Sequence, residues 1–198
     1  MRIMLFEMIL IINNHGQYVH RIWRCMNYLD AESEIIPNTT DIPEIKAKNP
    51  SGIILSGGPY SVYEDREKIK NCNEILKFCL NSDTPVLGIC LGHQVIVQFF
   101  GGKVERGSAA EYAQMEIAIV KENDLFKNLE KNLIAWTSHK DEVTELPVDF
   151  ECLASSGICK FEAVKHKKKK IYGVQFHPEV NHTPRGEEIL KNFLGVCE

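Results

Sequence analysis

The chain has 198 residues, a formal net charge of −4, and 44% hydrophobic against 25% charged residues. This favours one domain with a core of its own, residues 1–198, and excludes a large multi-domain synthetase. The mild acidity lacks the basic face that nucleic-acid binding needs, and seven cysteines, an odd number in a chain too long for a disulfide scaffold, indicate reduced thiols and a cytoplasmic setting.

The N-terminus carries one basic residue, Arg2, and an apolar run interrupted by Glu7. No small-residue cleavage site follows, and the run is far short of the roughly 20 residues that span a bilayer. Neither a signal peptide nor a membrane span is expected. Met8–Ile12 reads as a buried first strand, with residues 1–7 as an N-terminal extension. Val19, Ile22, Trp23, Met26 and Leu29 recur at helical spacing. Ser33–Ile36 predicts a strand ended by Pro37, and Gly52–Leu55 a third running into Ser56-Gly57-Gly58-Pro59. Ile69, Cys72, Ile75, Leu76 and Cys79 mark a second helix face. Pro85–Ile89 is a fourth strand, and Gly92–Phe100 a helix closed by Gly101-Gly102. Strands alternating with helices predict an open α/β fold: a mostly parallel central sheet with helices on both faces, a flavodoxin-like core.

Beyond Gly102 short strand candidates follow closely: Met115–Val120, Leu133–Trp136, Glu151–Ala154, Lys160–Lys165 and Ile171–Phe176. They predict some antiparallel pairing and hence a mixed sheet. Gly186–Val196 closes the chain as a helix. The basic run Lys165–Lys170 reads as a solvated hairpin tip rather than a nucleic-acid patch.

One cysteine differs from the rest. Gly88-Ile89-Cys90-Leu91-Gly92 joins an apolar strand to a helix, the pattern of a nucleophile elbow with cysteine in the place of serine. The tight turn calls for small flanking residues and pushes the sulfur out at the carboxyl edge of the sheet, where open α/β sheets bind ligands. A helix N-terminus favours a thiolate, and the Leu91 N–H would face a developing oxyanion. Gln175-Phe176-His177-Pro178-Glu179 offers a base and its orienter, because His177 and Glu179 share one side of an extended chain. Taken alone, the first motif also fits a buried strand-end cysteine, and the second a surface His and Glu. No cysteine pair has zinc-type spacing, so no metal is expected.

Three ordered blocks, Leu55–Pro59, Gly88–Gln94 and Gly173–Glu179, together resemble the class I, triad-type glutamine amidotransferases over nearly the whole chain. The resemblance implies a glutaminase in which Cys90 attacks the glutamine amide, His177 moves protons and Glu179 orients His177. It implies oxyanion donors from Gly57, Gly58 and Leu91, and Gln94 on the amino-acid end of glutamine. Trp136–Asp141, His15–Ile22 and Pro37–Thr40 resemble the stand-alone glutaminase subunits of archaeal-type GMP synthases. That implies backbone contacts to glutamine from Ser138 and His139, and Asp141 facing a partner. It also implies a separate ATP-pyrophosphatase chain that uses ATP and Mg²⁺ to aminate XMP, with no cofactor in this chain. Glutaminase subunits of anthranilate or carbamoyl-phosphate synthesis are the runners-up, against which Ser138–Asp141 argues. A non-catalytic regulatory module of the same fold, or a free γ-glutamyl hydrolase or cysteine peptidase, would also fit parts of the pattern. One departure stands out: the family usually has an aspartate near the end of the first strand, where Asn13 and Asn14 stand here, followed by His15. It bears on loop contacts or docking, not on the triad.

Overall fold

The computed structural model describes residues 8–198, with the backbone alone described at 108–111; the extension expected at residues 1–7 lies outside the described residues. The elements alternate from β1 (Ile9–Asn13), α1 (Val19–Tyr28), β2 (Ser33–Pro37), α2 (Ile42–Ala47), β3 (Gly52–Leu55) and α3 (Arg66–Ser82) to β4 (Val86–Ile89) and α4 (Leu91–Phe99). Five further strands follow, β5 (Lys103–Ile119), β6 (Asn132–Glu145), β7 (Phe150–Ser155), β8 (Ala163–His166) and β9 (Ile171–Val174), and α5 (Gly186–Cys197) closes the chain.

Among the described residues, the nine strands form one sheet in the order β2-β1-β3-β4-β9-β8-β7-β5-β6. The first five in that order pair in parallel, and the remaining pairings are antiparallel. The mixed α/β sheet expected from the sequence is thus observed. The inner parallel strands β1, β3, β4 and β9 are buried on both faces, which is why they read as apolar runs, whereas the edge strand β2 is only half-buried. Ile9, Ile11, Ile54 and Leu87 face α1 and α5, while Leu10, Ile12, Ile53 and Val86 face α2, α3 and α4. The Lys167–Lys170 tip does join two antiparallel strands, β8 and β9.

Three expectations need correction. Helix α2 is absent from the elements expected above, although Asp41 caps it by accepting the Glu44 N–H at 2.9 Å and a proline sits in its first turn. The expected strands Met115–Val120 and Leu133–Trp136 are parts of a much longer hairpin, β5–β6. Inward positions of β6 continue from Leu133 and Ala135 to Thr137 and His139, so the strand persists where its apolar pattern stops. Finally, β9 ends at Val174, not Phe176. His177 then makes an isolated antiparallel bridge to Trp136, donating its N–H to the Trp136 carbonyl at 2.9 Å.

The β4–α4 turn is a close crossing of backbone on backbone. A Cβ on Gly88 would lie 2.5 Å from the Gly92 carbonyl, and one on Gly92 would lie 2.2 Å from the Leu55 oxygen. Both obstacles are backbone, which cannot step aside as a flexible side chain can. Gly101, with φ +87°, ends α4. The Gly102 N–H returns to the Val97 carbonyl and the Gly101 N–H to that of Gln98, a Schellman closure. Gly92→Ala is expected to lower the unfolding free energy by about 2 kcal/mol through overpacking. Urea denaturation measures this, and an unchanged midpoint would contradict the packing described.

Candidate active site

Cys90 occupies the turn between β4 and α4 with φ 52° and ψ −105°. This is a strained backbone for a residue with a Cβ. Its own N–H is held by the Val174 carbonyl at 2.8 Å, and its carbonyl accepts the Gln94 N–H at 3.2 Å. The sulfur is thereby fixed at the N-terminus of α4, where the helix partial charge favours an anion. The side chain is 6% exposed, at the floor of a cavity of about 600 Å³.

His177 lies across the cavity floor, and Glu179 Oε1 meets its Nδ1 at 2.8 Å. Both are buried. The pair does not sit on a continuing strand: Pro178 and Glu179 form a turn after the Trp136 bridge, and the turn brings the carboxylate back to the ring. Burial opposes charge on His177, but the Glu179 carboxylate and then Cys90, by charge and by hydrogen bonding, outweigh it. They hold the imidazole well above its ordinary value of 6.5. Nδ1 facing a carboxylate leaves Nε2 toward the sulfur. The Tyr18 ring packs edge-on against His177 with centroids 4.8 Å apart. Burial pushes Cys72 and Cys79 up to about 12 and Cys25 to about 11, where Glu179 adds to it.

The Gly57-Gly58 loop walls one side. A Cβ on Gly57 would come within 3.2 Å of His177 Cε1 and 3.5 Å of Cys90 Cβ. The loop is tied down by Asn14, one of the residues standing at the usual aspartate position. Fully buried, Asn14 donates its N–H to Ser56 Oγ and its side-chain amide to the Ser56 carbonyl, both at 3.0 Å. Its Oδ1 accepts from Asn38 and from the Cys72 thiol, each at 3.2 Å. The neutral amide therefore acts as a loop clamp. A carboxylate there could not donate to the Ser56 carbonyl.

The long β6 strand forms the opposite wall. The Ser138 carbonyl stands 3.9 Å from the Cys90 sulfur. His139 is buried, with Nδ1 3.1 Å from the Asp141 carbonyl. Asp141 turns inward at the mouth and accepts the Tyr63 hydroxyl at 2.9 Å. Gln94 donates to the Asp141 carbonyl at 2.7 Å and to Gln175 Oε1 at 3.1 Å. The structure thus brings Cys90, His177, Glu179, Gly57, Gly58, Leu91, Gln94, Ser138, His139 and Asp141 around one cavity. The sequence motifs assign no role to Tyr18 or Gln175. Gln175 stands inside the Gly173–Glu179 block, but nothing in its spacing says that its amide turns toward the sulfur. Among the described residues, no group of three or more His, Cys, Asp or Glu is placed to hold a metal.

The fold thus sets a strained elbow cysteine facing a carboxylate-backed histidine at the carboxyl edge of an α/β sheet. The family model for glutamine amidotransferase class-I matches residues 10–196. The chain belongs to that family. Its relatives include the A subunit of the glutamine-hydrolyzing GMP synthase of Pyrococcus abyssi, 56% identical over 190 residues, or 96% of this chain and 98% of the relative. The same-named protein of Methanococcus aeolicus is 57% identical over 96% of this chain and 97% of its own. Among solved structures, a Thermoplasma acidophilum protein described as a GMP synthase A subunit superposes with a TM-score of 0.88 at 34% identity, covering 97% of this chain and 94% of that one. A glutamine amidotransferase from Thermotoga maritima shares the fold, with a TM-score of 0.75 at 20% identity over 96% of this chain and 82% of that one. Among the described residues, no helix is long and apolar enough to cross a membrane.

Folding raises the proton affinity of His177 above that of the unfolded chain. Its contribution to stability is therefore complete below the ordinary value of 6.5 and is lost as pH rises through the folded-state value. The His177 ring, followed by NMR, is expected to titrate above 6.5. Glu179→Gln should lower that midpoint and flatten the alkaline loss of stability. A wild-type ring titrating at or below 6.5 would count against the pairing.

Proposed function

We propose that this chain is the glutamine-hydrolysing subunit of a two-chain GMP synthase, with Cys90, His177 and Glu179 as its catalytic triad. The juxtaposition of the elbow sulfur with the His177–Glu179 pair in one cavity carries the chemistry. The GMP synthase relatives, matched over nearly their full length, support the assembly.

The Cys90 thiolate attacks the side-chain carbonyl carbon of glutamine. The resulting oxyanion is met by the Leu91 N–H and by N–H groups of the Gly57-Gly58 loop. His177, protonated in the resting site, gives its proton to the amide nitrogen, and ammonia leaves. A γ-glutamyl thioester remains on Cys90. Water attacks it, His177 takes the water proton, and glutamate departs with the thiolate restored. Glu179 holds the imidazole in one tautomer and stabilises its cationic form throughout. Gln94, Ser138 and His139 line the side of the cavity where the amino-acid end of glutamine would sit.

Ammonia passes to a separate ATP-pyrophosphatase subunit, which binds ATP and Mg²⁺ and aminates XMP to GMP. This chain needs no cofactor of its own. Asp141, at the mouth and bonded to Tyr63, lies where a docked partner would meet the cavity. A cytoplasmic location fits an odd number of cysteines, seven, in a chain too long to be a disulfide scaffold.

The isolated chain is expected to hydrolyse glutamine weakly and to be strongly stimulated by the synthetase subunit with ATP and XMP. Cys90→Ala should cut glutamine hydrolysis by at least about 10⁴-fold, while the partner still makes GMP from added ammonia. Glutamine-dependent GMP formation that survives Cys90→Ala would sink the mechanism. Full activity without a partner would sink the two-chain reading.

A further inference from the structure

Gln175 is fully buried beside the nucleophile, and its backbone N–H is held by the Glu162 carbonyl at 2.7 Å. Its side-chain nitrogen lies 3.7 Å from the Cys90 sulfur. Whether that end of the amide is nitrogen or oxygen decides everything, because an oxygen there would repel a thiolate. One main-chain carbonyl settles the orientation. The Asp141 oxygen can only accept, so the atom 2.7 Å from it on Gln94 is the NH₂ nitrogen. That same nitrogen lies 3.1 Å from one end of the Gln175 amide, which must therefore be the oxygen. The opposite end, toward the sulfur, is NH₂. The orientation follows from the network and not from an arbitrary amide assignment.

We infer that Gln175 is a catalytic residue whose amide N–H donates to the Cys90 sulfur, locked in place by a relay from the Asp141 carbonyl through Gln94. The inference rests on the reading of Cys90 as nucleophile and adds to it a donor to the sulfur. A hydrogen bond to an ionised acceptor is roughly twice as strong as one to a neutral acceptor, so the contact favours the thiolate over the thiol. The thiolate occurs twice in the cycle: before attack on glutamine, and as the group expelled when water opens the thioester. The Gln175 N–H stabilises both. Gln94 acts through Gln175 and is in this respect a positioning residue. The relay also constrains how Gln94 meets substrate. With both of its N–H bonds given to Asp141 and Gln175, it has only its oxygen to offer. That suits the α-ammonium of glutamine and not the α-carboxylate.

The test is alkylation of the ligand-free chain by iodoacetamide across the pH range, with modification at Cys90 followed by mass spectrometry. No glutamine or partner is needed. On the acid limb of the profile the rate follows the thiolate fraction. Gln175→Leu is expected to slow alkylation there about tenfold and to move the limb to higher pH by about one unit. Gln94→Leu should do the same, more weakly. A residue that only held substrate would leave the ligand-free profile unmoved. In the assembled enzyme, Gln175→Leu should lower kcat with little change in KM. Gln175→Glu, of equal length but without the N–H, serves if the leucine variant fails to fold, and its limb should move the same way. An acid limb unmoved in a folded Gln175 variant overturns the inference. A wild-type Cys90 that resists alkylation altogether would instead overturn the reading of Cys90 as nucleophile.

Discussion

The backbone of Cys90 is the constraint on which the rest depends. A residue with a Cβ held at φ 52° costs on the order of 1–3 kcal/mol and persists only where its surroundings over-determine it. Here they do. Helix α4 is buried from Leu91 to Val97, and its first turn lies against β3 so closely that only glycine fits at position 92. The strain serves three purposes together. It ends the strand, starts the helix, and leaves the sulfur at the helix N-terminus facing the cavity, not the core.

Two histidines show how burial is used in opposite senses. His93, one turn into α4 and packed against Gly173, is fully buried; burial and then nearby His139 hold it down to about 3. It stays neutral and adds no positive charge to the helix that carries Cys90 at its N-terminus. His177 is almost as deeply buried, but the Glu179 carboxylate and Cys90 reverse the effect. The same low-dielectric interior that suppresses one imidazolium strengthens the pairing that sustains the other. Opposite neighbours, and not depth of burial, separate the two rings.

The mixed sheet explains why this pair can be assembled at all. The parallel half delivers Cys90 from the carboxyl end of β4. The antiparallel half delivers β6, whose Trp136 bridges His177 and whose Ser138 carbonyl approaches the sulfur. Asn14, at the end of β1, fastens the Gly57-Gly58 loop from a third direction. The cavity has walls from segments far apart in the chain, and backbone hydrogen bonds set their spacing.

By itself the sequence determined the elements whose signals are local. The apolar runs of β1, β3 and β4, the helical periodicity of α1 and α3, the glycines around Cys90, and the His177-Pro178-Glu179 string were all legible, because each depends on neighbours within a few residues. The length of the β5–β6 hairpin was not, since its inward positions turn polar where they line the cavity. Nor was the end of β9: a bridge to Trp136, distant in sequence, sets where His177 sits. Tertiary structure alone decided which way the amides of Asn14, Gln94 and Gln175 point. An amide presents a donor and an acceptor on one side chain, and only the partners brought to it by the fold choose between them.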